Sequence, residues 1–461
     1  MKIIRIFVTI TTFALAGNLS AQTLTTLYSF TGGSDGAGPQ IGLAQGSDGN
    51  FYGTTLAGGA STNRSPYGLT GYGTVFQISP SGSFTNLHSF DGSDGANPLA
   101  PLTQGSDSNF YGTTYYGGTS GEGAVFRISA SGSYTTLYSF ASVPNDGTKP
   151  QGVLVQGMDG NFYGTTFVGG AYGGGTIFRI SPGGNYTNLH SFGASRTNGA
   201  SPAAGLVLGS DGNFYGTTMG GGRATSCAVG AFQGCGTVFR FSPSGTFTSL
   251  YSVFGTFPCG DSAFPQSTLM QGTDGNFYGT ADECVFRISA SGTFTGLYCF
   301  AGSGAGYVGY PTYGLMQGSD GCFYGTTGTS VFRISASGTF TSLYSFAIGG
   351  LLVQGSDGDF YGIGAGVYGQ GSVVKISFPL NPPANQISTF QPDSSGTNLV
   401  FGVPSVAGET YQLQFTTDLT SGIWSNVPNV SVTNSIGSML NLTNFGGASR
   451  SRGFYRFDIT P

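Results

Sequence analysis

Phe51-Tyr52-Gly53-Thr54 is the first of six identical tetrapeptides spread along this 461-residue chain. The other five begin at Phe110, Phe162, Phe214, Phe277 and Phe323, and a seventh, beginning at Phe360, ends in Ile363 instead of threonine. A repeated supersecondary unit must stack on copies of itself to bury its apolar faces. The tetrapeptide therefore predicts seven similar units packed side by side.

Each unit contains four segments with strand character, which we call strands a to d. Strand a is a Gly-Leu-x-x-Gly run such as 205–209, and strand b contains the tetrapeptide. Strand c is an apolar run such as 125–128, and strand d is typified by 84–90. The Asp-Gly pair between strands a and b predicts a hairpin turn with positive φ at both central residues. Adjacent apolar residues in strand c indicate that both faces of each small sheet are covered.

The strand count predicts a closed ring. Strand c occurs seven times, and no strand d follows its last copy near Ser377. A lone strand d, Thr26 to Phe30, stands instead near the N-terminus. If this strand completes the last sheet, no edge is left open. Residues 22–377 then form a seven-bladed β-propeller of about 51 residues per blade, near the roughly 40–50 typical of such repeats. A β-solenoid is the alternative, which the four-strand unit disfavours.

The first 21 residues have the pattern of a signal peptide, with Lys2 and Arg5 before an apolar run from Ile6 to Gly17. No second long apolar stretch follows, so we expect an exported chain without a transmembrane segment. Without this leader the chain has 13 basic and 20 acidic residues, a net charge of −7. Because nucleic-acid binding requires clustered cations, this balance argues against a nucleic-acid partner.

Prolines 379, 382 and 383 predict a linker over residues 378–386. Alternating apolar residues from Tyr411 to Phe415 and a closing Phe454 to Phe457 run predict a small β-sandwich over residues 387–461. The phrase from Thr416 to Trp424 is similar to a C-terminal module recurrent in exported bacterial proteins. Such a module serves as an anchor or as a spacer.

The phrases T-x-L-Y-S-F, G-S-D-G-N-F-Y-G-T-T-x-x-G-G and G-T-V-F-R-I-S-P-S-G closely resemble the tandem GloVer repeat of bacterial choice-of-anchor proteins. The resemblance covers nearly all of residues 22–377, and blades five and seven depart most from it. It implies an exported, surface-associated protein. It supplies no catalytic residue that can be transferred to this chain.

All six cysteines fall between Cys227 and Cys322. An exported protein can keep disulfides, so we predict Cys227 to pair with Cys235 across one loop and Cys259 with Cys284. The pairing of Cys299 and Cys322 stays open. The cysteine spacing matches no zinc pattern, and we expect no metal or cofactor from it.

Candidate catalytic groups are few. His88 and His190 occupy a strand d position that is tyrosine in the other copies, which indicates a structural role. Paired carboxylates would indicate glycoside hydrolysis, and Asp282-Glu283 is the one local acidic pair in a chain with three glutamates. A calcium site is a second interpretation of the aspartates in the loops before strand a, with turn formation as the alternative, because calcium binds where several oxygens converge. These are Asp35, the 91–95 stretch, Asp146 and Asp261.

Length variation is confined to the b–c and d–a loops, which strand alternation places on one face of the disc. Binding usually resides in variable loops on a rigid scaffold, and these loops gather aromatic residues. We therefore predict a non-enzymatic binding or scaffold propeller that engages a glycan or a protein. The alternatives are a polysaccharide hydrolase or lyase and a purely structural surface protein. The candidate ligand-binding residues are Tyr67, Tyr72, Tyr115, Tyr116, Tyr172, Phe232, Tyr307 and Tyr310.

Overall fold

The computed structural model describes residues 23–39, 41–224, 227–255, 263–300, 311, 313–344, 346, 348–364 and 370–377, together with six strands between 389 and 460. Seven antiparallel sheets form the blades of a propeller, as the repeat predicts. Strands a are Ala44–Gln45, Thr103–Gln104, Val155–Gln156, Val207–Leu208, Met270–Gln271, Met316–Gln317 and Ile348–Gln354. Strands b are Phe51–Ala57, Phe110–Thr114, Phe162–Thr166, Phe214–Thr218, Phe277–Ala281, Phe323–Thr326 and Phe360–Gly364.

Strands c are Thr74–Ile78, Ala124–Ile128, Thr176–Ile180, Thr237–Phe241, Cys284–Ile288, Val331–Ile334 and Ser372–Ser377. Strands d are Phe84–Ser89, Tyr134–Ser139, Tyr186–Ser191, Phe247–Ser252, Phe294–Cys299 and Phe340–Tyr344, with Thr23–Ser29 as the seventh. Short extra strands are Ala37–Pro39, Gly147–Thr148, Val168–Gly169, Ala228–Val229 and Phe232–Gln233. A single 3-10 turn, Arg196–Asn198, is the one helical element among the described residues.

The ring closes as predicted. Thr23–Ser29 pairs antiparallel with Ser372–Ser377, so the first strand of the described chain is the outer strand of blade seven. Phe30, which follows it, is fully buried in the core shared with blade one. Closure thus removes the open edges that a linear array would leave.

The repeated Phe-Tyr pair joins each blade to both of its neighbours. Successive strand residues point to opposite faces, so each tyrosine meets the phenylalanine of the next blade. The rings of Tyr52 and Phe110 are 3.8 Å apart, and those of Tyr361 and Phe51, across the closure, are 4.0 Å apart. A Cβ on Gly53 would lie 2.5 Å from Phe76 Cζ, so glycine is required in the third position.

The turn between strands a and b differs from the predicted hairpin. Positive φ occurs at the glycine, as at Gly49 with φ 80°, and not at the preceding aspartate among the described turns. Gly49 N donates to Gly46 O, which closes a turn followed by one left-handed residue. The aspartate side chain instead accepts hydrogen bonds: Asp48 binds Asn50 N at 3.1 Å and Tyr52 Oη at 2.8 Å. The prediction of two left-handed residues was therefore wrong.

Glutamines at the ends of the a strands connect neighbouring blades. Gln156 Oε1 accepts from Ser106 N at 2.9 Å, and its Nε2 donates to Ser106 Oγ at 3.1 Å and to Gly160 O at 3.0 Å. We call this arrangement the glutamine clasp. Equivalent clasps are formed by Gln45, Gln104, Gln271, Gln317 and Gln354. At the junction of blades three and four, Leu208 and Met158 occupy the two positions.

The C-terminal segment forms two three-stranded antiparallel sheets, the strand content predicted for a small β-sandwich. One sheet contains Thr389–Pro392, Leu399–Pro404 and Met439–Asn444, and the other contains Thr410–Thr416, Ser425–Thr433 and Phe454–Thr460. The predicted signal peptide and linker lie outside the described residues. Within the described part of the chain, we find no helix long and apolar enough to cross a bilayer.

Candidate functional site

Three tyrosines from two blades converge on the face formed by the b–c and d–a loops, which we call the variable face. The ring centroid of Tyr67 lies 6.1 Å from that of Tyr115 and 5.2 Å from that of Tyr116. Tyr115 and Tyr116 meet edge to face at 4.8 Å. Tyr67 is 44% exposed, while the other two are half-buried. We call this group the tyrosine cluster; it presents aromatic ring surface to solvent.

Backbone hydrogen bonds hold the cluster in place. Tyr115 N donates to Asn97 O at 3.2 Å, and Tyr116 N donates to Ala96 O at 3.0 Å, so both residues are fixed by the loop that enters blade two. Tyr67 lies in a turn closed by Gly68 N donating to Ser65 O at 2.7 Å. The turn carries Tyr67 from blade one across to blade two.

Burial, and then the neighbouring tyrosines, raise the pKa of Tyr67 to about 12. Burial is also the main cause that raises the pKa of Tyr115, followed by Tyr116 and Glu122. At neutral pH these phenols are therefore protonated, and each can both donate and accept a hydrogen bond. Ring faces combined with hydroxyl groups suit a ligand that has both apolar C–H faces and hydroxyls.

Lys149 borders the cluster from the loop that enters blade three. Its Nζ lies 5.6 Å from the centre of the Tyr116 ring, within the range of a cation–π contact. The backbone is left-handed, with φ 58°, and Lys149 N donates to Glu122 O at 2.9 Å. Sequence reasoning missed Lys149. The sequence did contain a signal for it, because Lys149 is the charged member of a set of equivalent residues that precede proline. The uncharged members are Gly38, Asn97, Ser201 and Phe264.

The other predicted aromatic residues lie elsewhere. Tyr72 is half-buried against the core shared by blades one and two. Tyr172 is 58% exposed and stands apart from the cluster. Phe232 lines a separate cavity of about 270 Å³ together with Arg196 and Gln233, whose side chains hydrogen-bond to each other. Tyr307 and Tyr310 lie outside the described residues.

Both histidines stack on the next blade. His88 lies 3.8 Å from the Tyr134 ring, and its Nε2 is 2.7 Å from Asp94 Oδ2. His190 stacks on Phe247 at 4.3 Å, and burial lowers its pKa. In blade two, Tyr138 fills the equivalent position and donates to Asp146 at 2.7 Å. Histidine and tyrosine thus share one structural role.

The acidic candidates differ in environment. Asp282 and Glu283 form the two-residue turn between strands b and c of blade five. Burial, and then the charge of Glu283, raise the pKa of Asp282 to about 6. The loop aspartates already accept protein hydrogen bonds, as Asp35 does from Thr31 N at 2.8 Å and from Tyr28 Oη at 3.1 Å. Asp261 lies outside the described residues.

Among the residues that the structure describes, no three His, Cys, Asp or Glu side chains are grouped closely enough to hold a metal ion.

The predicted disulfide between Cys227 and Cys235 is present. Cys284 lies opposite Cys299 in the ladder between strands c and d of blade five, with the two sulfurs 3.0 Å apart. The predicted pairing of Cys259 with Cys284 remains a prediction, because Cys259 lies outside the described residues.

Solved structures confirm the fold. The structure of a streptogramin B lyase matches with a TM-score of 0.53 and 15% identity, over 77% of this chain and 97% of that chain. PorZ, a surface component of the type-IX secretion system of Porphyromonas gingivalis, matches with a TM-score of 0.51 and 16% identity, over 90% of this chain. The extracellular domain of a putative one-component system of B. thetaiotaomicron matches with a TM-score of 0.50 and 12% identity, over 95% of this chain. The matches span 55% and 57% of the last two chains.

These identities are low enough that the likeness shows the fold alone. No curated protein matches the chain in sequence. A family model does match, that of the Gloeobacter/Verrucomicrobia repeat, over residues 9–143 and 64–284. These residues amount to more than half of the chain and include the Phe-Tyr-Gly-Thr repeats of blades one to five. The chain therefore belongs to the Gloeobacter/Verrucomicrobia repeat family.

Proposed function

We propose that this protein is an exported, non-enzymatic propeller that binds a glycan through the tyrosine cluster on its variable face. The observation that carries the proposal is the convergence of Tyr67, Tyr115 and Tyr116 from two different blades, with Tyr67 44% exposed. Tyr67 lies 48 positions before Tyr115 in the sequence, so this aromatic surface exists only in the folded chain.

Aromatic rings suit sugar recognition because they offer a flat apolar face with a polar edge. An exposed group of such rings is uncommon on a soluble surface and usually marks an interaction site. The scaffold beneath is held by the Phe-Tyr stacks and the glutamine clasps, so the loops start from fixed positions. Little ordering of the backbone would then be needed on binding, which favours affinity.

The test is a binding screen of the mature chain on a panel of polysaccharides, followed by titration of the best ligand. We expect Tyr67→Ala to weaken binding about tenfold, corresponding to roughly 1.4 kcal/mol of lost stacking. Tyr172→Ala is the matched control, because it removes an exposed tyrosine from the same face outside the cluster. Equal effects of the two substitutions, or no retention of any polysaccharide, would refute the proposal. Retention of a protein partner alone would favour a protein-binding propeller instead.

A second candidate function is polysaccharide cleavage at Asp282 and Glu283. The raised pKa of Asp282 favours it, because a carboxyl group that is protonated near pH 6 can act as a general acid. Release of oligosaccharides by the wild-type chain, and its loss in Asp282→Asn, would establish this activity. Retention without product would leave the binding function.

The exported location is supported by the leader pattern of residues 1–21 and by the disulfide between Cys227 and Cys235. Disulfides persist in oxidising compartments. Sequencing the N-terminus of the protein recovered from culture medium tests the location, and we expect it to begin near Gln22. A protein confined to the cytoplasm with its leader intact would contradict export.

A further inference from the structure

We propose that the tyrosine cluster selects an anionic glycan, one that bears carboxylate or sulfate groups, and that Lys149 recognises the charge. This inference rests on the proposed function, since it names the class of ligand for the same site. It is carried by the position of one ammonium group, which forms no salt bridge with any described residue.

No salt bridge in the described part of the chain uses the charge of Lys149. The sequence contains three lysines, Lys2, Lys149 and Lys375, of which Lys2 belongs to the leader. Lys375 bridges Asp357 at 3.0 Å and also pairs with Asp359. Lys149, by contrast, forms no salt bridge with any described residue, and the contact of its ammonium is the face of the Tyr116 ring.

The backbone does not explain the choice of lysine. Lys149 has φ 58°, a left-handed conformation that favours glycine and asparagine over lysine. Equivalent left-handed residues in neighbouring blades are Asn97, with φ 54°, and Ser201, with φ 57°, and both are buried. Among the described copies, lysine is thus the one charged residue at a position that elsewhere carries Gly38, Asn97, Ser201 and Phe264.

A second unpaired cation flanks the cluster. Arg64 lies three residues before Tyr67, and its guanidinium donates to Gly68 O at 2.8 Å without a salt bridge to any described residue. Among the described residues, Glu122 is the carboxylate whose charge contributes to the raised pKa of Tyr115. Two cations therefore stand at the aromatic surface of a chain whose overall charge is negative.

Lys149 is half-buried and its ammonium lies against the Tyr116 ring, where an anionic partner would add a charge-assisted hydrogen bond. Sugar rings stacked on the tyrosines would place a carboxylate or sulfate substituent within reach of Lys149 and Arg64. A neutral glycan would use the same stacking surface without the charge contact. We therefore expect Lys149 and Arg64 to determine the preference for anionic over neutral glycans, and the tyrosines to supply the affinity that both kinds of glycan share.

The experiment measures binding of matched polysaccharides at low ionic strength, where screening is weakest. Polygalacturonate is compared with its methyl ester, and dextran sulfate with dextran, so that each pair shares one backbone. We expect the wild-type chain to bind at least one anionic member about three- to fivefold more tightly than its neutral partner, the range of an exposed ion pair. The pair that shows the preference identifies carboxylate or sulfate as the recognised group.

Two variants test the role of Lys149. Lys149→Asn introduces the residue that the loop entering blade two carries at Asn97, and asparagine tolerates the left-handed backbone. We expect it to reduce the preference to near unity while binding to the neutral glycan is kept. Lys149→Arg keeps the charge, and we expect it to keep the preference. Circular dichroism confirms that both variants are folded.

The outcomes separate the two proposals. If no polysaccharide binds the wild-type chain, the proposed function fails and the charge inference fails with it. If binding depends on Tyr67 but anionic and neutral members bind equally, the glycan function stands and the inference is overturned. The inference is also overturned if Lys149→Asn keeps the full preference or loses neutral binding together with anionic binding.

Discussion

The glutamine clasp offers a quantitative test of how the ring is held together. The chain contains its own comparison, because six junctions use a glutamine and the junction of blades three and four uses Leu208 with Met158. Met158 is 77% exposed, and its Cε would lie 3.0 Å from a Cβ on Gly212. Gly212 is equivalent to Gly160, whose carbonyl binds Gln156 in a clasped junction. A thioether thus occupies the space that the amide fills elsewhere.

The magnitude follows from the three hydrogen bonds of Gln156. Each contributes about 0.5 kcal/mol net at an exposed site, since water competes for both partners. Ordering the glutamine side chain costs part of the total of about 1.5 kcal/mol. We therefore expect Gln156→Leu, which removes all three bonds, to destabilise the protein by about 1 kcal/mol, and Ser106→Met, which removes only the bond to Ser106 Oγ, by about 0.5 kcal/mol. The double variant recreates the natural pair of Leu208 and Met158, so we expect it to cost less than the sum of its parts by about 0.5 kcal/mol.

A second double-mutant cycle, at the junction of blades three and four, uses Leu208→Gln and Met158→Ser, which together install a glutamine clasp. We expect the double variant to be more stable than the sum of the two single effects predicts, by a similar free energy. The assay is urea unfolding followed by far-ultraviolet circular dichroism, which reports the sheets. Tryptophan fluorescence would mislead, because the one tryptophan, Trp424, belongs to the C-terminal segment. Coupling below about 0.3 kcal/mol at both junctions, the range of simple additivity, would show that the clasp is not an energetic unit.

Four further predictions concern single features. The raised pKa of Asp282 means that the folded chain binds a proton more tightly than the unfolded chain does. The free energy of unfolding should therefore fall by about 1 kcal/mol as the pH rises from about 4 to about 6, a value discounted for partial exposure of the side chain. Asp282→Asn should remove this fall in thermal melts. His88→Tyr should leave the melting temperature nearly unchanged, whereas His88→Ala should lower stability by about 1–3 kcal/mol. Replacing Cys227 and Cys235 with serine should cost about 2 kcal/mol, and an unchanged melt would show that the short loop gains nothing from its crosslink. Deleting Thr23–Ser29 should expose the edge of blade seven and cause aggregation, measured by light scattering; a soluble monomer of unchanged stability would refute ring closure.

Six copies of Phe-Tyr-Gly-Thr, a seventh that ends in Ile363, and one displaced strand d were sufficient to predict the number of blades and the ring closure. The sequence also predicted the pairing of Cys227 with Cys235 and the structural role of His88 and His190. These features depend on local strand patterns and on counting, which a repeated sequence displays directly. The turn between strands a and b was predicted incorrectly, because an Asp-Gly pair suits more than one turn type. The hydrogen bonds that Asn50 and Tyr52 donate to the Asp48 side chain distinguish the observed turn from the predicted one.

The aromatic candidates show where sequence reasoning stopped. Tyr67, Tyr115 and Tyr116 were all named from the composition of the loops, but so were Tyr72, which packs against the core, and Tyr172, which stands alone. Nothing in the sequence separates these groups, because an aromatic residue in a loop can either cap a core or face solvent. Their separation depends on the direction in which each loop leaves its blade.

The repeats are sufficient to specify the architecture, since each repeat has the same alternation of buried faces and can bury them only against a copy of itself. Which loops lie next to each other depends on the folded ring. The turn around Tyr67 crosses from blade one to blade two, and the left-handed backbone at Lys149 brings an ammonium to the Tyr116 ring. Such contacts join residues more than 30 positions apart, and they arise from the curvature of the closed ring rather than from any local pattern.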